Sequence, residues 1–276
     1  MESHQEASLE LLNFIALLNH FIGDSPAGHF LHRYENIIFT VLVIGVLSVV
    51  FYCASRRAAL LPGRLQSAFE AIVEGLQDLV CGILGPDGKK YTPFLGTLFL
   101  YIWFMNLFGL FPLMKSPTSS AMTLSLGALR LPIPTVTAAL AIIVFFYVQG
   151  IGIHRQGILG YLDHMAGTPR DVFGVVLMPI MFVIHVIGEF AKPLSLSFRL
   201  YGNIWGEDVL LAVFVGLGIG ITAFLPIPAG VPLQFPFILL AMVTGTIQAF
   251  VFTLLSTVYI AMMLPHENHA GSHHAV

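Results

Sequence analysis

Apolar residues come in long uninterrupted blocks separated by short polar connections. Residues 37 to 54, 94 to 114 and 134 to 153 carry no charged side chain. Each approaches the roughly 20 apolar residues that a helix needs to cross a hydrocarbon core of about 30 Å. A fourth block, 172 to 224, would extend about 80 Å as one helix, at about 1.5 Å of rise per residue. Such a helix must tilt and bend, or break near Lys192-Pro193 or Gly202-Asn203. The last block, 234 to 264, is again free of charge. One segment has a different period. From Arg64 to Leu84 the apolar positions Leu65, Ala68, Phe69, Ile72, Val73, Leu76, Leu79, Val80, Ile83 and Leu84 recur at helical spacing, opposite Gln66, Glu70, Glu74, Gln77 and Asp78. That stripe fits a helix lying on the membrane surface or one packed against another subunit.

Composition agrees with this pattern. Of the 276 residues, 57% are hydrophobic and 10% charged, whereas soluble domains carry about a quarter charged residues. Backbone polar groups in lipid must be satisfied internally, so the expected fold is an all-α integral membrane protein with five spans and one amphipathic helix. The formal net charge of -3 excludes a basic nucleic-acid surface. Cys53 and Cys81 lack metal or redox spacing and read as buried thiols.

Charge placement sets the orientation, because Lys and Arg accumulate on the cytoplasmic side. With five spans, the connections 55 to 93 and 154 to 171 share a side and hold Arg56, Arg57, Arg64, Lys89, Lys90, Arg155 and Arg170. The opposite side holds Arg33, Lys115 and Arg130. The N-terminal segment 1 to 36 is therefore expected outside, the membrane domain spans 37 to 264, and the tail 265 to 276 lies in the cytoplasm. Breaking the fourth block would put Lys192 and Arg199 on the outer side, so one long helix is preferred. Residues 9 to 23 follow Glu2, Glu6 and Glu10 rather than a basic region, which argues against a cleaved signal peptide.

Ionisable residues in a membrane helix are costly and point to function. At about 100° per residue, His185, Glu189, Lys192, Arg199, Asn203 and Glu207 fall within an arc of about 80° along about 33 Å of helix. Asp208 leaves that stripe. Glu189 and Lys192 have a bland explanation, an i,i+3 pair that anchors the helix. Arg199 does not, because a guanidinium cannot lose its proton to escape desolvation. It needs an anion from another helix or another chain. On the last helix Thr244 and Gln248 stand one turn apart, and the Gln248 amide cannot be satisfied by its own backbone.

The run Glu189 to Asn203, with its core Ser195-Leu-Ser-Phe-Arg-Leu-Tyr-Gly-Asn203, resembles the subunit a family of F-type ATP synthases. Ile247 to Ser256 is similar to that family's second signature, and Asn106 to Pro112 with Pro117-Thr118 to a third. The resemblance implies a proton-translocating stator subunit that is not catalytic alone. Its implied partners are a ring of c subunits, the b subunits of the peripheral stalk, the rest of the synthase and membrane lipid. No cofactor or metal is implied. It makes Arg199 the essential arginine and Asn203 and Gln248 its polar neighbours. Asp208 takes the place of an uptake-side acid by counting, whereas helical phase favours Glu207, and both stay open. His185 stands where the family often has glutamate, and Ala241 where some members carry histidine. The asparagine expected after Pro117-Thr118 is absent.

A secondary ion transporter with a midplane charge is the main alternative, but no inverted repeat is visible. Gly23 to Gly28 lacks a nucleophile-elbow spacing, and His266-Glu-Asn-His269 is one residue short of a zinc-protease motif. The absence of an arginine-rich transit segment points to a bacterial inner membrane.

Overall fold

The computed structural model describes residues 34–55, 63–111, 121–126, 129–167, 172–222 and 232–264. The N-terminal segment before Tyr34, the ends of the Pro117-Thr118 signature and the histidine-containing tail lie outside them. Among the described residues six α-helices follow in order: α1 Glu35–Ser55, α2 Arg64–Leu84, α3 Thr92–Gly109, α4 Thr135–Met165, α5 Val172–Thr222 and α6 Phe235–Met263. A short 3₁₀ helix, Gly85–Lys90, joins α2 to α3. Four helices, α3 to α6, are long and apolar enough to cross a membrane, and α1 contributes a shorter apolar stretch, Ile37–Cys53.

The all-α expectation needs one correction. Strands β1 Ala121–Leu126 and β2 Leu129–Pro134 form an antiparallel hairpin, with Ala121 opposite Pro134 and Leu126 opposite Leu129. Its sequence alternates apolar residues at period two (Met122, Leu124, Leu126, then Leu129, Leu131, Ile133), the signal of a strand rather than a plain connection. The cysteines need another: Cys53 is exposed and Cys81 only half-buried.

α6 is the hub of the helical packing, touching α2, α3, α4 and α5, whereas α1 packs on α2 and α3. Two bonds tie α3 to α6: Trp103 Nε1 donates to Thr246 Oγ1 at 2.9 Å, and Asn106 Nδ2 to the Gly245 carbonyl at 3.0 Å. Gly245 permits this approach, because a Cβ there would lie 3.1 Å from Asn106 Cβ. The core is built from Leu95, Ile102, Leu196, Leu200, Phe252 and Ile260, all almost inaccessible. Outside it, Ile180, Val183, Ile184 and Ile187 on α5 and Ile142, Ile143 and Phe146 on α4 are exposed. Apolar surface of that extent is a liability in water and ordinary in lipid.

α5 is continuous from Val172 to Thr222 despite Pro179 and Pro193 inside it. Proline removes one backbone donor and crowds the preceding turn, yet neighbouring helices support the segment in a membrane protein. α4 outruns its expected end at residue 153 and is interrupted at Gly157, where φ is 73° and ψ 164°. That left-handed backbone is open to glycine and strained for other residues. α2 buries Leu76 and Val80 within the chain and leaves Val73 and Ile83 outward, so its apolar stripe is divided between its own fold and its surroundings.

At one end of the bundle, Asp87 in the 3₁₀ helix accepts from Lys90 Nζ at 2.8 Å and Arg155 at 3.2 Å. The connection between α2 and α3 therefore lies on the same side as the C-terminal part of α4, as the charge pattern requires. The two cations hold the Asp87 carboxyl below the usual aspartate range, the Lys90 hydrogen bond contributing most.

Candidate functional site

Helix α5 carries the polar stripe past the flanks of α4 and α6, and its residues separate into two clusters with Arg199 between them. The first centres on Glu189. Lys192 donates to Glu189 Oε1 in a close ion pair, and Gln149 Nε2 on α4 donates to Glu189 Oε2 at 2.8 Å. Tyr161 donates its hydroxyl to Gln149 Oε1 at 2.6 Å. The Lys192 ammonium also sits 5.5 Å from the ring centre of Tyr259 on α6, a favourable cation–π distance. Tyr161 reaches Gln149 only because the helix reverses at Gly157: along a straight helix these residues would be about 18 Å apart.

The second cluster centres on Glu207, about 27 Å of helix rise from Glu189. Asn203 Nδ2 donates to Glu207 Oε1 at 3.0 Å, and Thr244 Oγ1 on α6 donates to the same oxygen. Asp208 is half-buried beside it, close enough for the two carboxyls to repel one another when both are charged. Among the described residues no cation pairs with Glu207. The two clusters thus solve the same problem differently, one by charge neutralisation and one by neutral donors.

Arg199 lies between them on an exposed edge of α5, beside the buried Leu196 and Leu200. It has no hydrogen-bond or ion-pair partner among the described residues, although the phenol of Tyr259 lies within its electrostatic reach. Gly188, Gly202 and Gly206, on the same outer part of α5, each face open space. His185 is half-buried, its Nδ1 3.0 Å from the carbonyl of Met181 one turn back. Gln248 is 7% exposed. Its Nε2 and the Oδ1 of Asn106 are buried side-chain atoms without a hydrogen-bond partner among the described residues, one a donor and the other an acceptor. A buried amide left in this way is costly unless water or another chain completes it.

The stripe expected from helical phase is therefore present but divided. Glu189 and Lys192 form the anchor pair anticipated for them, now extended to α4. Among the described residues no carboxylate pairs with Arg199, and Gln248 turns into the packing without a bond to Arg199. Two members of the first cluster escaped the sequence reading. Gln149 is an uncharged amide inside an apolar span, the same signal that singled out Gln248. Tyr161 lay beyond the expected end of its span and depends on the reversal at Gly157. Among the described residues, no group of histidine, cysteine and carboxylate side chains forms a metal site.

Residues 37–261 match the family model described as ATP synthase A chain. ATP synthase subunit a of Protochlamydia amoebophila is 43% identical over 258 residues, covering 94% of this chain and 90% of that protein. ATP synthase subunit a of Oleidesulfovibrio alaskensis is 36% identical over 236 residues, with 86% and 88% covered. The Helicobacter pylori subunit a is 35% identical over 240 residues, with 86% and 93% covered. A match across residues 37–261, together with a helix bundle built for lipid, places the chain in the ATP synthase A chain family, the proton-translocating membrane subunit a that has no catalytic activity of its own.

Proposed function

We propose that Arg199 is the fixed cation past which the carboxylates of a rotating c ring move, and that the two clusters on α5 belong to two offset proton half-channels. The observation that carries this reading is an arginine on an exposed edge of α5, without an anionic partner among the described residues, midway between two internally satisfied acid clusters. A guanidinium cannot neutralise itself by losing a proton. In lipid it requires an anion, and a ring carboxylate supplies one only while it stands opposite. That carboxylate is protonated where it faces lipid, because a bare anion there is too costly. Opposite Arg199 the ionised form is favoured, so the proton leaves through one half-channel. Past the arginine, a new proton arrives through the other. The positive charge also interrupts any continuous water path between them.

Glu207, with Asn203 and Asp208, serves the uptake side, and the buried Nε2 of Gln248, without a partner among the described residues, is completed by water. Glu189 and His185 lie toward the exit. The open glycine positions on the outer part of α5 support close approach of ring helices. Five spans, a surface helix, an outside N-terminus and a cytoplasmic C-terminus follow from the charge pattern, within a bacterial inner membrane. Segments 1–36 and 265–276 flank a single membrane domain, and peripheral-stalk b subunits complete the stator. The transmembrane potential supplies about 2.3 kcal/mol per charge per 100 mV to bias rotation.

The decisive experiment is Arg199→Ala in the assembled synthase, reconstituted in vesicles. ATP-driven proton pumping is expected to vanish, and full coupling in that variant would reject the assigned role.

A further inference from the structure

A second space is lined by none of the residues of the polar stripe. A cavity of about 560 Å³ opens between α1, α2 and the start of α3. Its apolar walls include Leu47, Phe51, Leu76 and Leu100, and Lys89 stands among its lining residues. Two observations bear on what the space could hold. Gly96 of α3 lines the space, and a Cβ there would meet nothing within 4 Å. Glycine inside a helix costs about 0.5–1 kcal/mol relative to alanine, and here it does not bring two helices together as Gly245 does. Second, Lys90 and Arg155 are both engaged by Asp87, whereas Lys89 is exposed and without an ion-pair partner among the described residues.

We propose that this cavity is a phospholipid site, in which one acyl chain of an anionic glycerophospholipid occupies the apolar space and Lys89 holds the phosphate. Size favours a slender chain. A helix with its side chains is about 10–12 Å across, so two turns alone need on the order of 1,000 Å³. Charge favours an anion, because the lining residues include a lysine and no carboxylate. Location agrees as well: basic pockets between membrane helices on the cytoplasmic side take up anionic head groups, and Lys89 lies beside Lys90 and Arg155 at the basic end of the bundle. The positive end of the α3 dipole, at Thr92, adds to the same field. A lipid there would fill the space left between α1, α2 and α3.

The test uses the whole synthase in phosphatidylcholine nanodiscs doped with a phosphatidylglycerol that carries a diazirine midway along one acyl chain. Photolysis is expected to label peptides from α1 and α3 around Leu47 and Gly96. Lys89→Gln should lower that labelling about fivefold, the effect of one basic side chain at an anionic surface. Lys90→Gln should leave it unchanged. Gly96→Phe should block it by filling the space, and if that variant fails to assemble, Lys89→Gln decides. Pumping by Lys89→Gln should stay normal, which separates this site from the action of Arg199. The proposal is overturned if Lys89→Gln labels like the parent, if a phosphatidylcholine probe labels equally, or if a helix of another subunit occupies the space.

Discussion

Glu189 and Glu207 stand on the same side of the same helix, yet their surroundings differ in kind. Glu189 is locked to Lys192 and to Gln149, so its charge is matched within the chain. Among the described residues Glu207 accepts hydrogen bonds from the amide of Asn203 and the hydroxyl of Thr244 and pairs with no cation. A carboxylate paired with an ammonium in a low-dielectric setting is fixed by that pairing, because removing either partner strands a charge. A carboxylate held by neutral donors can gain or lose a proton without stranding one. On the proposed reading the first cluster anchors the helix beside the exit path and the second exchanges protons on the uptake side, and that division is open to direct attack.

The sharpest attack is on Glu207. Glu207→Gln keeps the shape and both donors' partner oxygen while removing the exchangeable proton, so proton flux through the reconstituted complex should fall about a hundredfold, the lower end of the general acid–base range. Asp208→Asn should reduce flux less. The reverse order would transfer the uptake role to Asp208, and unchanged flux in both would place the uptake path elsewhere.

Next in size is the ion pair. The Lys192 and Glu189 side chains are 20% and 12% exposed, so breaking the pair should cost about 3–5 kcal/mol. Lys192→Met alone is expected to lower the thermal midpoint of the detergent-solubilised complex strongly. Adding Glu189→Gln should restore most of the loss, since no charge is then stranded. Failure of the second substitution to rescue the first would make Glu189 more than an anchor.

These assignments mark what sequence could and could not provide. That α5 is one helix was legible, because splitting it would have put Lys192 and Arg199 on the wrong side of the membrane. The boundaries of α2 were legible from its period. The hairpin was not read, because its alternation is short and crowded by prolines at 132 and 134. The Gln149–Tyr161 arm was hidden for a different reason: a contact between residues twelve apart in one apparent helix depends on a single reversed backbone position. The inter-helix partners of Glu207 were equally invisible, since helical phase reports a face and not the neighbour opposite it.

The reversed position gives a smaller prediction. At Gly157 an alanine Cβ meets no atom within 4 Å, so the strain of φ +73° is the main penalty. Gly157→Ala should cost about 1–3 kcal/mol, read as a lowered thermal midpoint. It should also raise hydrogen exchange around Tyr161, while Gly160→Ala, which lacks the reversed backbone, should do neither.

The smallest effect belongs to the outer clasp, where Asp87 joins Lys90 and Arg155 in solvent. Its carboxyl is held below the ordinary value, so the clasp contributes fully above the unfolded aspartate pKa and fades as pH falls through the lowered folded value. Hydrogen-exchange protection of the 3₁₀ helix and the C-terminal part of α4, corrected for intrinsic rates, should therefore be higher in the parent than in Asp87→Asn at pH 7. The two proteins should converge once acid protonates Asp87. A difference that persists in acid would mean that the carboxyl acts there through shape and not through charge.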